Sequence, residues 1–286
     1  MYWHGDLRQN LIKWTELIIY KNMWDGKYAF EKSKIIYGDA LEKLKLIPDN
    51  SIDYICADLP YGKTKNEWDV IIDPVKLWEQ VWRVAKPNAA VKFFGQDKFT
   101  AMMMLSTKWH RYNLIWEKTT VTGHLNAKRQ PMRCHEDMML FYKKQPTYNP
   151  QKTTGHVRKT STAKHKRNSK KTTNYGEHGL TGYDSTERYP RSVWKYATDK
   201  QKTALHPTQK PVALIEESIL TYSNEGEIVL DLCSGSGTLA EACINTNRDF
   251  IIIEKSPIDF EKGKERVGDI FVNYGLDPNP LLDERM

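Results

Sequence analysis

A chain of 286 residues, 40% hydrophobic and 11% aromatic, can fill the core of one large domain or of one domain with an insert. It has no run of 18 apolar residues, which excludes a membrane-spanning helix, and the start Met1-Tyr2-Trp3-His4-Gly5-Asp6 does not read as a secretory signal. The net charge of +7 favours a polyanionic partner. The four cysteines, Cys56, Cys134, Cys233 and Cys243, form no C-x-x-C pair, which fits a reduced, intracellular protein without a structural zinc.

In chain order, Leu11, Trp14, Leu17 and Ile18 fall at helical spacing, and residues 1–33 read as an N-terminal helical extension. Lys34 to Tyr37 is a short strand ending in Gly38-Asp39, followed by a helix from Leu41 to Leu46. The turn Pro48-Asp49-Asn50-Ser51 leads into the apolar strand Ile52–Ala57. That strand ends in Asp58-Leu59-Pro60-Tyr61-Gly62, at the edge where open α/β sheets bind ligands. A carboxylate offers acceptors only, proline fixes the backbone, and tyrosine offers a flat apolar face. Together they suit a planar ring bearing an amino group, with an ordinary Pro/Gly turn as the plainer alternative. The polar loop Gly62–Asp69 is long enough to cover a site, and Trp68 within it is either packing or a lid residue. Pro74–Ala85 reads as a helix with proline in its first turn. Ala89–Phe94 is a strand, Lys98–Thr107 a helix in which Met102-Met103-Met104 fill core, and Asn113–Trp116 and Met138–Tyr142 are strands. The polar loop between them ends in His135-Glu136-Asp137, where His135 and Glu136 are expected to serve structure.

From Lys143 to Gly176 the pattern changes. Ten residues are Lys or Arg and none is acidic. Such a stretch has too few apolar residues for its own core and reads as a flexible basic arm. A block of one sign of charge points to phosphates, through Lys152, Arg158, Lys159, Lys164, Lys166, Arg167, Lys170 and Lys171. Tyr175, Tyr183, Tyr189 and Trp194 follow, which suits unstacked bases.

Order resumes at His206-Pro207-Thr208-Gln209-Lys210-Pro211 and a helix from Val212 to Ser223. The strand Glu227–Leu230 then runs into Asp231-Leu232-Cys233-Ser234-Gly235-Ser236-Gly237-Thr238 and a helix from Leu239 to Thr246. Gly235 and Gly237 let a ligand approach the backbone. The spacing is neither G-x-G-x-x-G nor a P-loop. The next strand, Phe250–Ile253, ends in Glu254, placed to accept from ribose hydroxyls. A glycine turn without a phosphate signature, with Asp231 for a cationic group and Glu254 for a ribose, describes a nucleoside such as S-adenosylmethionine.

These stretches, with Trp116-Glu117-Lys118 and His135-Glu136, occur in one order over residues 34–270. The chain resembles the S-adenosylmethionine-dependent DNA amino-methyltransferases of the permuted beta group. The resemblance implies a Rossmann-like α/β fold: a mostly parallel, doubly wound, seven-stranded sheet with one antiparallel strand, a circularly permuted motif order and a basic insert. It divides the chain into a catalytic half (34–142), a basic insert expected to read the target (143–203) and a cofactor half (204–286). It implies that Asp58 and the carbonyl of Pro60 accept from the amino group of a flipped base stacked on Tyr61. It places Asp39 and Ala40 at the cofactor's adenine end, Glu254 and Lys255 at the ribose, the turn Asp231, Cys233, Ser234, Gly235, Ser236, Gly237 and Thr238 under the methionine part, and His206, Thr208 and Lys210 over the methionine end. Leu59 stands where the group usually has a first proline, and the loop there is expected to be freer. No metal is required.

In the group, Asp at the first motif position goes mostly with adenine-N6 transfer and Ser with cytosine-N4. Asp58 therefore points to adenine in double-stranded DNA, with cytosine-N4 transfer, RNA or protein methylation, or a binding protein without catalysis as alternatives. The resemblance also implies a bacterial or phage-encoded cytoplasmic protein, and it admits a homodimer and a cognate restriction endonuclease.

Overall fold

The structure, a computed structural model, describes residues 30–64, 66, 69–162, 182–198 and 209–278. The expected N-terminal helix, Trp68, Lys164, Lys166, Arg167, Lys170, Lys171, Tyr175, His206 and Thr208 lie outside the described residues. The chain forms two compact units, residues 149–192 and the flanking segments.

The larger unit is built on strands β1 (Lys34–Tyr37), β2 (Ile52–Ala57), β3 (Ala85–Gly95), β4 (His110–Thr122), β5 (Arg133–Phe141), β8 (Val193–Tyr196), β9 (Ile228–Asp231) and β10 (Asp249–Glu254). They form one sheet in the order β1-β10-β9-β2-β3-β5-β4-β8. Pairing is parallel from β1 through β3, antiparallel on both sides of β5, and parallel again between β4 and β8. The single antiparallel strand is as expected. The sheet has eight strands rather than seven, because β8, at the end of the basic stretch, adds to the β4 edge. That pairing joins segments 78 residues apart, which no local pattern announces.

Among the described residues the helices are α1 (Ala40–Leu44), α2 (Pro74–Val84), α3 (Asp97–Leu105), α4 (Val212–Tyr222), α5 (Thr238–Asn245) and α6 (Pro257–Tyr274). Successive strand residues point to opposite faces, and the core divides accordingly. Tyr54, Cys56, Ala90, Phe94, Phe250 and Ile252 pack with α4, α5 and α6. Ile55, Ala57, Val91, Phe93, Ile251 and Ile253 pack with α1, α2 and α3, and Met103 lies in this second layer. Near-continuous apolar strands are what burial on both faces demands.

Three strands run further than their apolar cores, β3 among them, which begins at Ala85. β4 and β5 extend to Thr122 and back from Arg133, so His135-Glu136-Asp137 belong to a strand and not to a loop. Polar side chains hid the extension, because hydrophobic alternation is the strand signal. The smaller unit also corrects an expectation. Its described residues are not featureless: β6 (Lys159–Ser161) pairs antiparallel with β7 (Tyr183–Ser185), and Thr153 bridges Arg188.

Candidate active site

Sheet register assembles the site. Tyr37 is level with Glu254, Ile252 with Asp231, and Ile55 with Leu230. The carboxyl ends of the adjacent strands β1, β10, β9 and β2 therefore present Asp39, Glu254, Asp231 and Asp58 side by side. All four carboxylates bear on the half-buried Cys233 thiol, which desolvation first, and then their charges, hold well above its usual range.

Burial pushes the Asp231 carboxyl up to about 8; the Cys233 amide, 3.1 Å from Oδ1, pulls it down, and the charges of Asp58 and Glu254 add to the rise. Glu254 accepts from the Gly235 amide at 2.7 Å and from the Ser256 amide at 2.7 Å, so it ties the glycine turn to the end of β10. Asp39 caps α1 by accepting from Leu41 at 3.0 Å and pairs with Lys255 at 3.1 Å. Ala40 is buried beneath it.

The turn needs its glycines for different reasons. Gly235 has φ +52°, and a Cβ there would meet nothing within 4 Å. Gly237 has φ +75°, and its Cβ would lie 3.3 Å from the Cα of Gly263 in α6. Gly237 thus lets α6 approach, while Gly235 faces open space. Arg266 on α6 donates to the Ser236 carbonyl at 3.2 Å and the Thr238 hydroxyl at 3.1 Å, and pairs with Glu241 at 2.5 Å. Ser234 donates its amide to Ile253 at 3.0 Å and Ser236 its hydroxyl to Gln209 at 3.4 Å. An open glycine turn beside a row of carboxylates suits a cationic nucleoside, so these residues fit S-adenosylmethionine. Asp231 would face its ammonium or sulfonium charge, and the Asp39–Glu254 end would hold its ribose and adenine.

On the neighbouring strand, Tyr61 donates to Asp58 Oδ1 at 2.5 Å. Burial, and then the Asp58 charge, hold the Tyr61 phenol well above its usual range, so it remains a donor. Phe99 packs against Tyr61, with ring centroids 4.8 Å apart. Lys210 donates to Asp58 Oδ2 and lies 3.2 Å from Glu136 Oε2, an ionic contact off the hydrogen-bonding angle. Lys118 donates to Glu136 Oε1. Burial opposes charge on Glu136, but Lys210 and Lys118 outweigh it and hold its carboxyl below the usual range. Leu59 is buried in the core. In the loop after Tyr61, Asp69 accepts from the amides of Gly62, Lys63 and Thr64 at 2.8, 2.8 and 2.6 Å.

The structure thus brings Asp58, Pro60, Tyr61 and Lys210 to one strand end, and Asp39, Ala40, Asp231, Cys233, Ser234, Gly235, Ser236, Gly237, Thr238, Glu254 and Lys255 to the ends beside it. In the smaller unit, Lys152 pairs with Glu187 at 2.9 Å and Arg158 with Asp184 at 2.6 Å. These two candidate phosphate contacts are locally neutralised by acids that follow the basic block. Lys159 lies on β6 and is exposed. Sequence reading overlooked Asp69, Gly263 and Arg266, named Lys118 only within Trp116-Glu117-Lys118, and gave Glu136 of His135-Glu136 only a structural part.

A doubly wound sheet with a glycine turn at β9 and an acid-Leu-Pro-Tyr motif at β2 defines a nucleoside-dependent transferase of the Rossmann-like kind. The DNA methylase family of N6/N4 methyltransferases matches residues 52–264, and the chain belongs to that family, whose methyl donor is S-adenosylmethionine. The chain is 30% identical to the type II methyltransferase M.HpaI of Haemophilus parainfluenzae over 264 residues, covering 88% of this chain and 78% of that protein. It is 28% identical to the DNA adenine methyltransferase YhdJ of Escherichia coli strain K12, covering 91% and 90%. Among solved structures, M1.HpyAVI in complex with S-adenosylmethionine superposes with a TM-score of 0.54 at 23% identity, covering 82% of this chain and 98% of that one. The PvuII cytosine-N4 methyltransferase superposes at 0.56 with 15% identity, covering 89% and 99%.

Proposed function

We propose that the chain methylates the exocyclic N6 of an adenine flipped out of double-stranded DNA, acting in the bacterial cytoplasm. The observation that carries this reading is the Asp58 carboxylate, an acceptor-only group set at the end of β2 beside the cofactor turn of β9. A base inside a duplex hides its amino group, so the target must leave the stack. Tyr61, backed by Phe99, offers the remaining face of its ring to the extruded base. Asp58 and the Pro60 carbonyl accept the two amino hydrogens and turn the nitrogen lone pair toward the methyl donor. When bound beside Asp231 and the Gly235–Gly237 turn, S-adenosylmethionine would supply an electrophilic sulfonium methyl group to that nitrogen. Alignment of nitrogen with that methyl supplies much of the rate, and the Asp58 charge stabilises the positive nitrogen that develops. Residues 143–203 are assigned to target recognition, where a few side chains read base edges. The adenine assignment is supported by an aspartate rather than a serine at position 58, and by the similarity to YhdJ over most of both chains.

The test is transfer of tritiated methyl groups to unmethylated duplex DNA, followed by nucleoside analysis of the product. N6-methyladenine is expected, and N4-methylcytosine alone would overturn the choice of base. Asp58→Ala is expected to abolish transfer while duplex binding, followed by fluorescence anisotropy, stays within about threefold of the wild type. Full activity in that variant would refute the mechanism.

A further inference from the structure

Lys210 lies in the stretch Gln209-Lys210-Pro211 that precedes α4, 152 residues from Asp58, yet its side chain is 9% exposed and ends on the target-base side of the site. Its ammonium touches Asp58 Oδ2, Glu136 Oε2 and, at 4.9 Å, the face of the Phe94 ring. Glu136 is 7% exposed and is closed on its other oxygen by Lys118, itself 8% exposed and 4.8 Å from the Trp116 ring. Asp58, Lys210, Glu136 and Lys118 therefore alternate in sign along a ladder that sums to zero charge. Three of its four members are screened from water.

We propose that Lys210 is a positioning residue for methyl transfer, acting through Asp58, and that Glu136 and Lys118 hold it there. This rests on the reading of Asp58 as the acceptor of the target amino group. A carboxylate oxygen accepts more than one hydrogen bond. Tyr61 occupies Oδ1 and Lys210 occupies Oδ2, so one bond on each oxygen fixes the plane of the carboxylate and leaves acceptor capacity for the base. A free carboxylate at the end of a strand rotates; this one is held from both sides. The cation also neutralises Asp58 before the base arrives, and offsets the cost of keeping it beside Asp231 and Glu254. The ammonium is held by Glu136 and Phe94 from behind, so its position does not depend on Asp58 alone. This role differs from contact with the methionine end of the cofactor, which the motif around Lys210 implies by resemblance.

The experiment uses the full chain, duplex DNA from a host lacking methylases and tritiated S-adenosylmethionine, with single-turnover rates and calorimetric cofactor affinity measured for each variant. Lys210→Met is expected to slow transfer by about 10²-fold, the usual consequence of a displaced catalytic group, while the cofactor Kd stays within about threefold. A Kd raised tenfold or more with transfer within threefold of wild type would make Lys210 a cofactor ligand and overturn the proposal. Lys210→Met leaves Glu136 facing Lys118 and an unpaired Asp58, and the variant is open to misfolding. The double variant Lys210→Met/Glu136→Gln removes both members of a pair and preserves the charge sum. If Lys210 served only to neutralise Glu136, the double variant would recover wild-type rates, and the proposal would fail. Rates still about 10²-fold down in a folded double variant support it. If the wild-type chain transfers no label to DNA, the underlying reading fails with it; label transferred equally by wild type and Lys210→Met sinks the positioning role alone.

Discussion

Asp231 offers a quantitative test of the carboxylate row, because a proton on it links pH, stability and cofactor binding. The group is 7% exposed, and burial, reinforced by Asp58 and Glu254, raises its carboxyl to about 8. In an unfolded chain an aspartate titrates near about 4. Between those values the folded protein binds one proton more than the unfolded one, so this group's contribution to stability is complete below about pH 4 and is lost as pH rises through about 8. The slope is at most ~1.4 kcal/mol per pH unit, which corresponds to roughly 2–4 °C of melting temperature per kcal/mol in a protein of this size class. Asp231→Asn removes the titration, so its melting temperature is expected to fall less than that of the wild type between pH 6 and 8. A cationic ligand favours the ionised form, so binding of S-adenosylmethionine below pH 8 is expected to release protons. Calorimetry in buffers of different ionisation enthalpy measures that number directly. For the wild type it should decline toward zero above pH 8, and for Asp231→Asn it should be small throughout. Identical pH slopes in the two proteins, or proton uptake on binding, would refute the reasoning.

The two glycines of the turn are expected to separate stability from affinity. Alanine at either forces a positive φ costing ~1–2 kcal/mol. Gly237→Ala also presses on Gly263 and should show the larger drop in melting temperature, whereas Gly235→Ala puts a methyl into the open space of the turn and should show the larger rise in cofactor Kd, about tenfold or more. The reverse ranking, measured by calorimetry and thermal melts, would show that the turn is not the cofactor cradle. Asp69→Ala releases the amides of Gly62, Lys63 and Thr64 and is expected to cost ~1–3 kcal/mol and to slow transfer with little change in cofactor affinity. Burial opposes the Asp69 charge, and those three amides outweigh it and hold the carboxyl below its usual range. Its stabilisation is therefore present above the ordinary aspartate range and lost as the solution is acidified through its lowered value, a loss that denaturation curves of wild type and variant should show only for the wild type.

Much of the fold is written locally. The apolar runs of β2, β9 and β10, the proline at the start of α2 and the glycine pair after Asp231 each state a backbone preference within a few residues, and such preferences survive without tertiary context. They were enough to place Asp58, Asp231 and Glu254 at strand ends and to name the chemistry that those ends suit. β5 was only half legible, because Arg133 to Asp137 carry polar side chains, and their place in a strand is set by pairing with β3 and β4. The insert was legible in charge but not in conformation, since the acids that answer Lys152 and Arg158 lie beyond the basic block.

What only the tertiary structure decided is which ends stand side by side. Nothing near Ile55 announces Leu230 as its neighbour; that register is a long-range choice made by burial of two apolar faces at once. It set the row of Asp39, Glu254, Asp231 and Asp58, and it carried Lys210, Glu136 and Lys118 to the same end of the sheet. Sequence determined that Asp58 ends a strand and that Lys210 belongs to a motif. Burial of the Lys210 ammonium determined that the two touch, because a buried charge has to find its opposite wherever the chain brings one.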